Sequence, residues 1–291
     1  MSSDGAPFGV RLQQAFATTG QLCVGIDPHA GLLAAWGLPD SAAGVRDFGM
    51  RVVQAASGRA GIVKPQVAFF ERHGSAGYAA LEDVLAAARA AGLLVIADVK
   101  RGDMGTSVAA YGEAWLTPGS SLEVDAMTVA AYQGLGSLDA VFERAAAYAK
   151  GLFVLAATSN PEAFDTQTAR RADGRSVAAA IVDEITERNF ASNSVSAPGS
   201  ASAGLGSYGV VIGATVALPD FGLSAEALAG MPILAPGFGH QGARIAELPE
   251  LFGAAAHNVL VSESRSILSA GPDGLAAAID AHLSEVAACR V

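Results

Sequence analysis

Cysteine is nearly absent: the 291 residues hold two, Cys23 and Cys289, at opposite ends of the chain. Two cysteines cannot build a disulfide framework, and neither they nor the 5 scattered histidines stand at metal-ligand spacing, so no metal is expected. Cys23 lies in an apolar run and reads as a small buried side chain. Charge is scarce too, at 16% of residues, and basic charge is scarcer than acidic: 18 Lys and Arg against 28 Asp and Glu leave a net charge of −10. Proteins that coat nucleic acid or lie on a membrane surface need basic faces, so neither partner is expected. The N-terminal MSSDGAPFGV has no basic segment and no long apolar stretch, unlike a signal peptide. No uncharged apolar run reaches the roughly 18 residues of a membrane span. A reducing cytoplasm is the expected location. An anionic substrate would have to be met by a local cluster of cations.

Hydrophobic residues, at 51%, are enough for a sizeable core, and 34 glycines with much alanine favour tight packing of helices on strands. Eight short apolar runs stand out: LCVGI (22–26), GIVKP (61–65), LLVIAD (93–98), VDAMTV (124–129), LFVLAAT (152–158), GVVIGAT (209–215), PILAPG (232–237) and NVLVSES (258–264). Each is apolar on both faces, as a buried parallel strand is. Amphipathic segments such as GYAALEDVLAAARAAG, LGSLDAVFERAAAYAK and RSVAAAIVDEITERN lie between them. Eight β-then-α units predict an α/β fold, a (β/α)₈ TIM barrel forming a single domain over residues 1–291, since such barrels typically take about 250 residues. A doubly wound open sheet is the alternative, disfavoured by the strand count and by the lack of GxGxxG after the first strand. The uncharged stretch ASNSVSAPGSASAGLGS (191–207) is expected to be a flexible surface loop, too short to divide two domains.

Barrel chemistry sits at the C-terminal strand ends. There the chain places Asp27 after the first strand, Lys64 on the second, and Asp98, Lys100 and Asp103 at the end of the third. Ser159 and Asn160 follow the fifth. Asp98 and Lys100 are two apart and should share a face. An alternating array of lysines and carboxylates keeps each amine protonated, which predicts a lysine poised as proton donor. A structural ring of salt bridges is the alternative for the same residues. After the seventh strand, Gly237, Gly239 and Gly242 free the backbone to approach an anion and Gln241 can donate an amide N–H. After the eighth, Arg265 can grip a phosphate with two parallel hydrogen bonds. A Gly-rich turn beside an ordinary surface arginine is the alternative there. Trp36 and Trp115 are expected to be packing groups.

With these residues in place the sequence resembles the orotidine 5′-phosphate decarboxylase family, in the longer form typical of actinobacteria. GIDPH, KPQVAFFE, ADVKRGD, AATSNPE, APGFGHQGA and the terminal SxR occur in family order over nearly the whole chain. The resemblance implies a barrel that converts orotidine 5′-monophosphate to UMP and CO₂ without metal or organic cofactor. It implies Lys100 as proton donor to C6, Asp98 and Asp103 as carboxylates of the array, and Lys64 as the lysine completing it. Asp27 would bind a ribose hydroxyl and Ser159 the pyrimidine amide edge. Gln241 and Arg265 would hold the phosphate, with help near Pro236, Gly237 and Ser264. It further implies a homodimer in which Asp103 reaches the neighbouring site. Where the family usually carries a ligand-contacting Thr, DMGTS offers Ser107, with Thr106 one before it. Two rivals are a Mg²⁺-dependent 3-keto-gulonate 6-phosphate decarboxylase-like enzyme, whose family places Glu where this chain has Lys64, and a catalytically silent nucleotide-binding barrel.

Overall fold

Alternate residues of each apolar run face opposite ways, and the eight runs close on one another. The computed structural model describes residues 5–196 and 204–289. Its strands are β1 (Leu22–Ile26), β2 (Ile62–Pro65), β3 (Leu94–Arg101), β4 (Ala126–Val129), β5 (Gly151–Ala157), β6 (Tyr208–Ile212), β7 (Ile233–Pro236) and β8 (Val259–Glu263). They form a closed, all-parallel barrel in sequence order, β8 pairing with β1 through Leu22↔Val261, Cys23↔Ser262 and Val24↔Glu263. The expected (β/α)₈ architecture is therefore the observed one. No helix among the described residues is long and apolar enough to cross a membrane.

Strand alternation produces two separate cores. Outward residues such as Val24, Val63, Val95, Met127 and Val154 pack under the surrounding helices, where Trp36 stacks on Phe48 and donates its indole N–H to the Leu268 carbonyl. Inward residues Cys23, Ile62, Ile96, Ala126, Phe153, Leu234 and Leu260 fill the barrel itself. The helix Phe8–Thr19, which precedes β1, seals the barrel floor: Phe8, Leu12 and Phe16 recur every fourth residue and join the inner core. Gly151 has no side chain, so the Phe8 ring fits against the start of β5 and meets Phe153 edge-on at 6.0 Å between centroids. Burial pushes the Cys23 thiol up to about 12, so this cysteine is inert filling below the mouth.

Two expectations need correction. The helix Val177–Ser196 runs through the first six residues of the expected loop at 191–207. Alanine, serine and asparagine do not stop a helix, and Pro198 comes only two residues after its end. Residues 197–203 lie outside the described residues, and Leu205 and Gly206 beyond them are buried. The alternation also fails once. Between β6 and β7 there are only the 3₁₀ turns Leu218–Phe221 and Glu226–Leu228, because Pro219, Gly222 and Gly230 break the segment. Truncating the floor by Phe153→Ala should cost about 3–5 kcal/mol of stability in denaturant unfolding, the usual range for a buried aromatic.

Candidate active site

The C-terminal strand ends surround a cavity of about 430 Å³. Its wall divides by chemistry. Asp27, Lys64, Gln66, Asp98, Lys100 and Thr128 make a polar side from β1 to β4, whereas Leu155, Val211, Leu234, Pro236 and Phe238 make an apolar side from β5 to β7. Gly237, Gln241, Ser264 and Arg265 close the remaining edge.

Asp98 is the hub of the polar side. Its Oδ1 accepts hydrogen bonds from Lys100 Nζ at 2.6 Å and Thr128 Oγ1 at 3.0 Å. Its Oδ2 accepts from Lys64 Nζ at 3.0 Å and Gln66 Nε2 at 3.1 Å. Burial alone would raise the Asp98 pKa, but the ammonium groups of Lys64 and Lys100, and the hydrogen bonds they donate, hold it well below the usual carboxylate range. Burial alone would likewise lower Lys64, yet Asp98 and then Asp27 outweigh it and raise the amine above the ordinary lysine value. Lys64 and Asp98 side chains are 6% and 11% exposed, whereas Lys100 is 46% exposed, so the first two are fixed and the third opens onto the mouth.

Lys100 does not reach this position by simple strand alternation. The β3–β4 register shifts between Ala97 and Arg101, and Lys100 adopts φ +47°, one of two non-glycine residues in the left-handed region among those described. That conformation costs an L-residue about 1–2 kcal/mol. The Lys100 amide N–H donates to Thr128 Oγ1 at 2.9 Å, and the same hydroxyl donates to Asp98. One threonine on β4 thus fixes both the strained backbone and the carboxylate. Strain held in place by a polar network makes Lys100 a candidate functional position.

Two groups are left open at the mouth. Asp27 Oδ1 is buried and accepts no hydrogen bond. Every other lysine and arginine among the described residues donates a hydrogen bond or forms an ion pair; Arg265 does neither. The first suits a ligand hydroxyl and the second a ligand anion. Gly237, Gly239 and Gly242 have φ of +116°, +69° and +110°, the left-handed turn expected of this loop. Gly25 admits Ser264 into the mouth, since a Cβ there would stand 1.8 Å from the serine Oγ.

Of the residues singled out from sequence, Asp27, Lys64, Asp98, Lys100, Asn160, Pro236, Gly237, Gln241, Ser264 and Arg265 line this cavity. Asp103, Thr106 and Ser107 do not. Asp103 is half-buried and accepts the Met104 amide N–H at 2.9 Å, and Thr106 and Ser107 are exposed. Ser159 is exposed as well, its neighbours Thr158 and Asn160 facing the cavity instead. Gln66, Thr128 and Ser262 escaped notice, although each lies two residues from a marked position or strand-mate and the period-2 rule finds them. His240, in the turn after β7, also lines the cavity.

The profile of the orotidine 5′-phosphate decarboxylase / HUMPS family matches residues 20–279. The chain belongs to that family. It is 50% identical over 285 residues to the orotidine 5′-phosphate decarboxylase of Salinispora arenicola, covering 97% of both chains. It is 48% identical to that of Streptomyces coelicolor, covering 92% of this chain and 91% of the relative. A Streptomyces avermitilis crystal structure assigned the same activity superposes with a TM-score of 0.89 at 46% identity, covering 98% of this chain and 96% of that one. The Leishmania donovani OMP decarboxylase follows at TM-score 0.75 and 27% identity, over 97% of this chain and 98% of that one.

Asp98 supplies a pH test. Its depressed pKa gives stability that is complete above the ordinary value of 3.8 and is withdrawn as pH falls toward the folded value. Asp98→Asn should cost about 3–5 kcal/mol at neutral pH, because Lys64 is left buried and unpaired. Denaturant unfolding from pH 7 down to 3 should show the gap to wild type narrowing on the acid side.

Proposed function

We propose that this cavity decarboxylates orotidine 5′-monophosphate and that Lys100 delivers the proton to C6 of the product ring. The activity is orotidine 5′-phosphate decarboxylation, EC 4.1.1.23, which yields UMP and CO₂ in pyrimidine biosynthesis. The observation that carries the residue-level reading is the Lys64–Asp98–Lys100 array, with the outermost amine 2.6 Å from the central carboxylate and open to the mouth. A buried ion pair is weak evidence for stability, so an array kept at a cavity mouth is better explained by chemistry.

Loss of CO₂ from C6 leaves an electron pair in the plane of the ring, where the π system cannot delocalise it. The protein must stabilise that charge directly. A preorganised ammonium in a site with few waters does so and then transfers its proton, which quenches the anion. Asp98 accepts a hydrogen bond from Lys100 Nζ and aims it. Thr128 and Gln66 orient Asp98 by donating to the same two oxygens that take the lysines, Thr128 to Oδ1 beside Lys100 and Gln66 to Oδ2 beside Lys64. The apolar side of the cavity takes the pyrimidine ring, the open Asp27 oxygen takes a ribose hydroxyl, and Arg265 with Gln241 and the Gly237–Gly242 turn takes the phosphate. Phosphate binding lies far from the bond that breaks, yet its free energy aligns the ring over Lys100. The reading needs no metal. A protonated Lys64, where the Mg²⁺-dependent relatives place a glutamate, repels a divalent ion.

Asp103, Thr106 and Ser107 belong in this reading to the site of a second copy. All three lie just past β3 and outside their own chain's cavity. Exposed Met104 (61%) and Tyr132 (87%) beside the β3 and β4 ends give that rim an apolar face suited to a homodimer.

The direct test follows absorbance as orotidine 5′-monophosphate becomes UMP, with EDTA present. Wild type should turn over fully. Lys100→Ala should fold and lose at least about 10²–10⁴-fold in turnover, and retained activity within about tenfold removes Lys100 from the donor role. Mixing Lys100→Ala with Asp103→Asn should restore activity through heterodimers that hold one intact site. Verified heterodimers without recovery would exclude a shared site.

A further inference from the structure

One buried charge pair lies outside the cavity and outside the chemistry above. On β8 and just past it, Ser262 and Ser264 face the mouth, so Glu263 between them faces outward. Its side chain is 0% exposed. There it forms an ion pair through Oε2 with Nδ1 of His282, on the helix Gly271–Ala288. Beyond this ion-pair contact neither oxygen of Glu263 has a hydrogen-bond partner, and neither does the buried hydroxyl of Ser266. Both groups lie against Gly239 of the glycine turn: a Cβ on that residue would stand 2.8 Å from Glu263 Oε1 and 2.9 Å from Ser266 Oγ. The turn that faces the ligand therefore rests directly on a buried carboxylate.

That arrangement matters for an anion site. A lone carboxylate in a low-dielectric layer under the turn would oppose a phosphate bound above it. His282 stands beside that carboxylate, and the hydrogen bond with Glu263, against the opposing effect of burial, keeps the imidazole more basic than usual, with Glu285 adding to it. An imidazolium in contact with the carboxylate offsets its charge, and the field at the turn is left to Arg265. The position of Glu263 next to Ser264 and Arg265 also ties the turn after β7 to the residues after β8.

We propose that Glu263 and His282 are positioning residues for the substrate phosphate: together they set the height of the Gly237–Gly242 turn and cancel the buried charge beneath it. This rests on reading Arg265 and that turn as the phosphate site.

The test compares binding of UMP with binding of uridine, which lacks the phosphate, on full-length variants whose fold is checked by circular dichroism. His282→Gln should weaken UMP about tenfold, the scale of one lost charged hydrogen bond, and leave uridine unchanged. The double variant Glu263→Gln/His282→Gln carries no buried charge and should regain most of that affinity. Gly239→Ala, whose Cβ would press on Glu263 Oε1 and force the turn away while leaving both members of the pair in the chain, should reproduce the selective loss even where His282→Gln fails to fold. Equal losses for both ligands would make the pair merely structural, and unchanged UMP binding would sever it from the turn; either overturns the proposal. Arg265→Ala measured alongside separates the two levels. If it weakens UMP while the pair variants do not, this inference alone fails. If it too leaves UMP binding intact, the phosphate reading falls and takes the inference with it.

Discussion

A single carboxylate constrains the whole mouth of the barrel. Asp98 receives four hydrogen bonds from β2, β3, β4 and the residue after β2, so its two oxygens are fully committed. Remove it and two ammonium groups face each other across a low-dielectric space. Keep it, and Lys64 is held charged while both amines are held in one place. The left-handed backbone at Lys100 is tolerable only because Thr128 secures the amide and the carboxylate together. The position of the outer lysine and the lowered pKa of the central carboxylate are therefore two results of one polar network.

The two sides of the cavity differ in chemistry. Charge is concentrated on β1 to β3 and apolar surface on β5 to β7, a division that suits the reacting carbon and the flat ring of the proposed nucleotide. Arg265 stands apart from both, the one described cation that the protein leaves unmatched. A chain with a surplus of acid would thus attract an anion through local vacancy of partners rather than through its overall field.

Much of this was legible in the sequence. The eight apolar runs mark the eight strands to within a few residues, because strands buried on both faces have no other way to be written. ADVKRGD and APGFGHQGA mark the rim for the same reason: charge and glycine directly after an apolar run have nowhere else to go. What escaped was set by three-dimensional detail. The bulge that turns Lys100 has no glycine to announce it. The helix that reaches Ser196 passes through residues of loop-like composition. Thr128, Gln66 and Ser262 look like ordinary polar residues of strand ends until their neighbours across the barrel are known. Glu263 sits in the same string as Ser264 and Arg265 yet points the other way.

The pairing of β8 with β1 joins the earliest and latest parts of the chain, and the close fit of Ser264 over Gly25 lies along that join. Asp27 is on one side of the join and Arg265 on the other. A nucleotide gripped by both would act as a clasp across the seam where the cylinder shuts, so occupancy would resist its springing open. It also follows that no partly made chain can assemble the pocket, since its two halves are nearly the whole polypeptide apart.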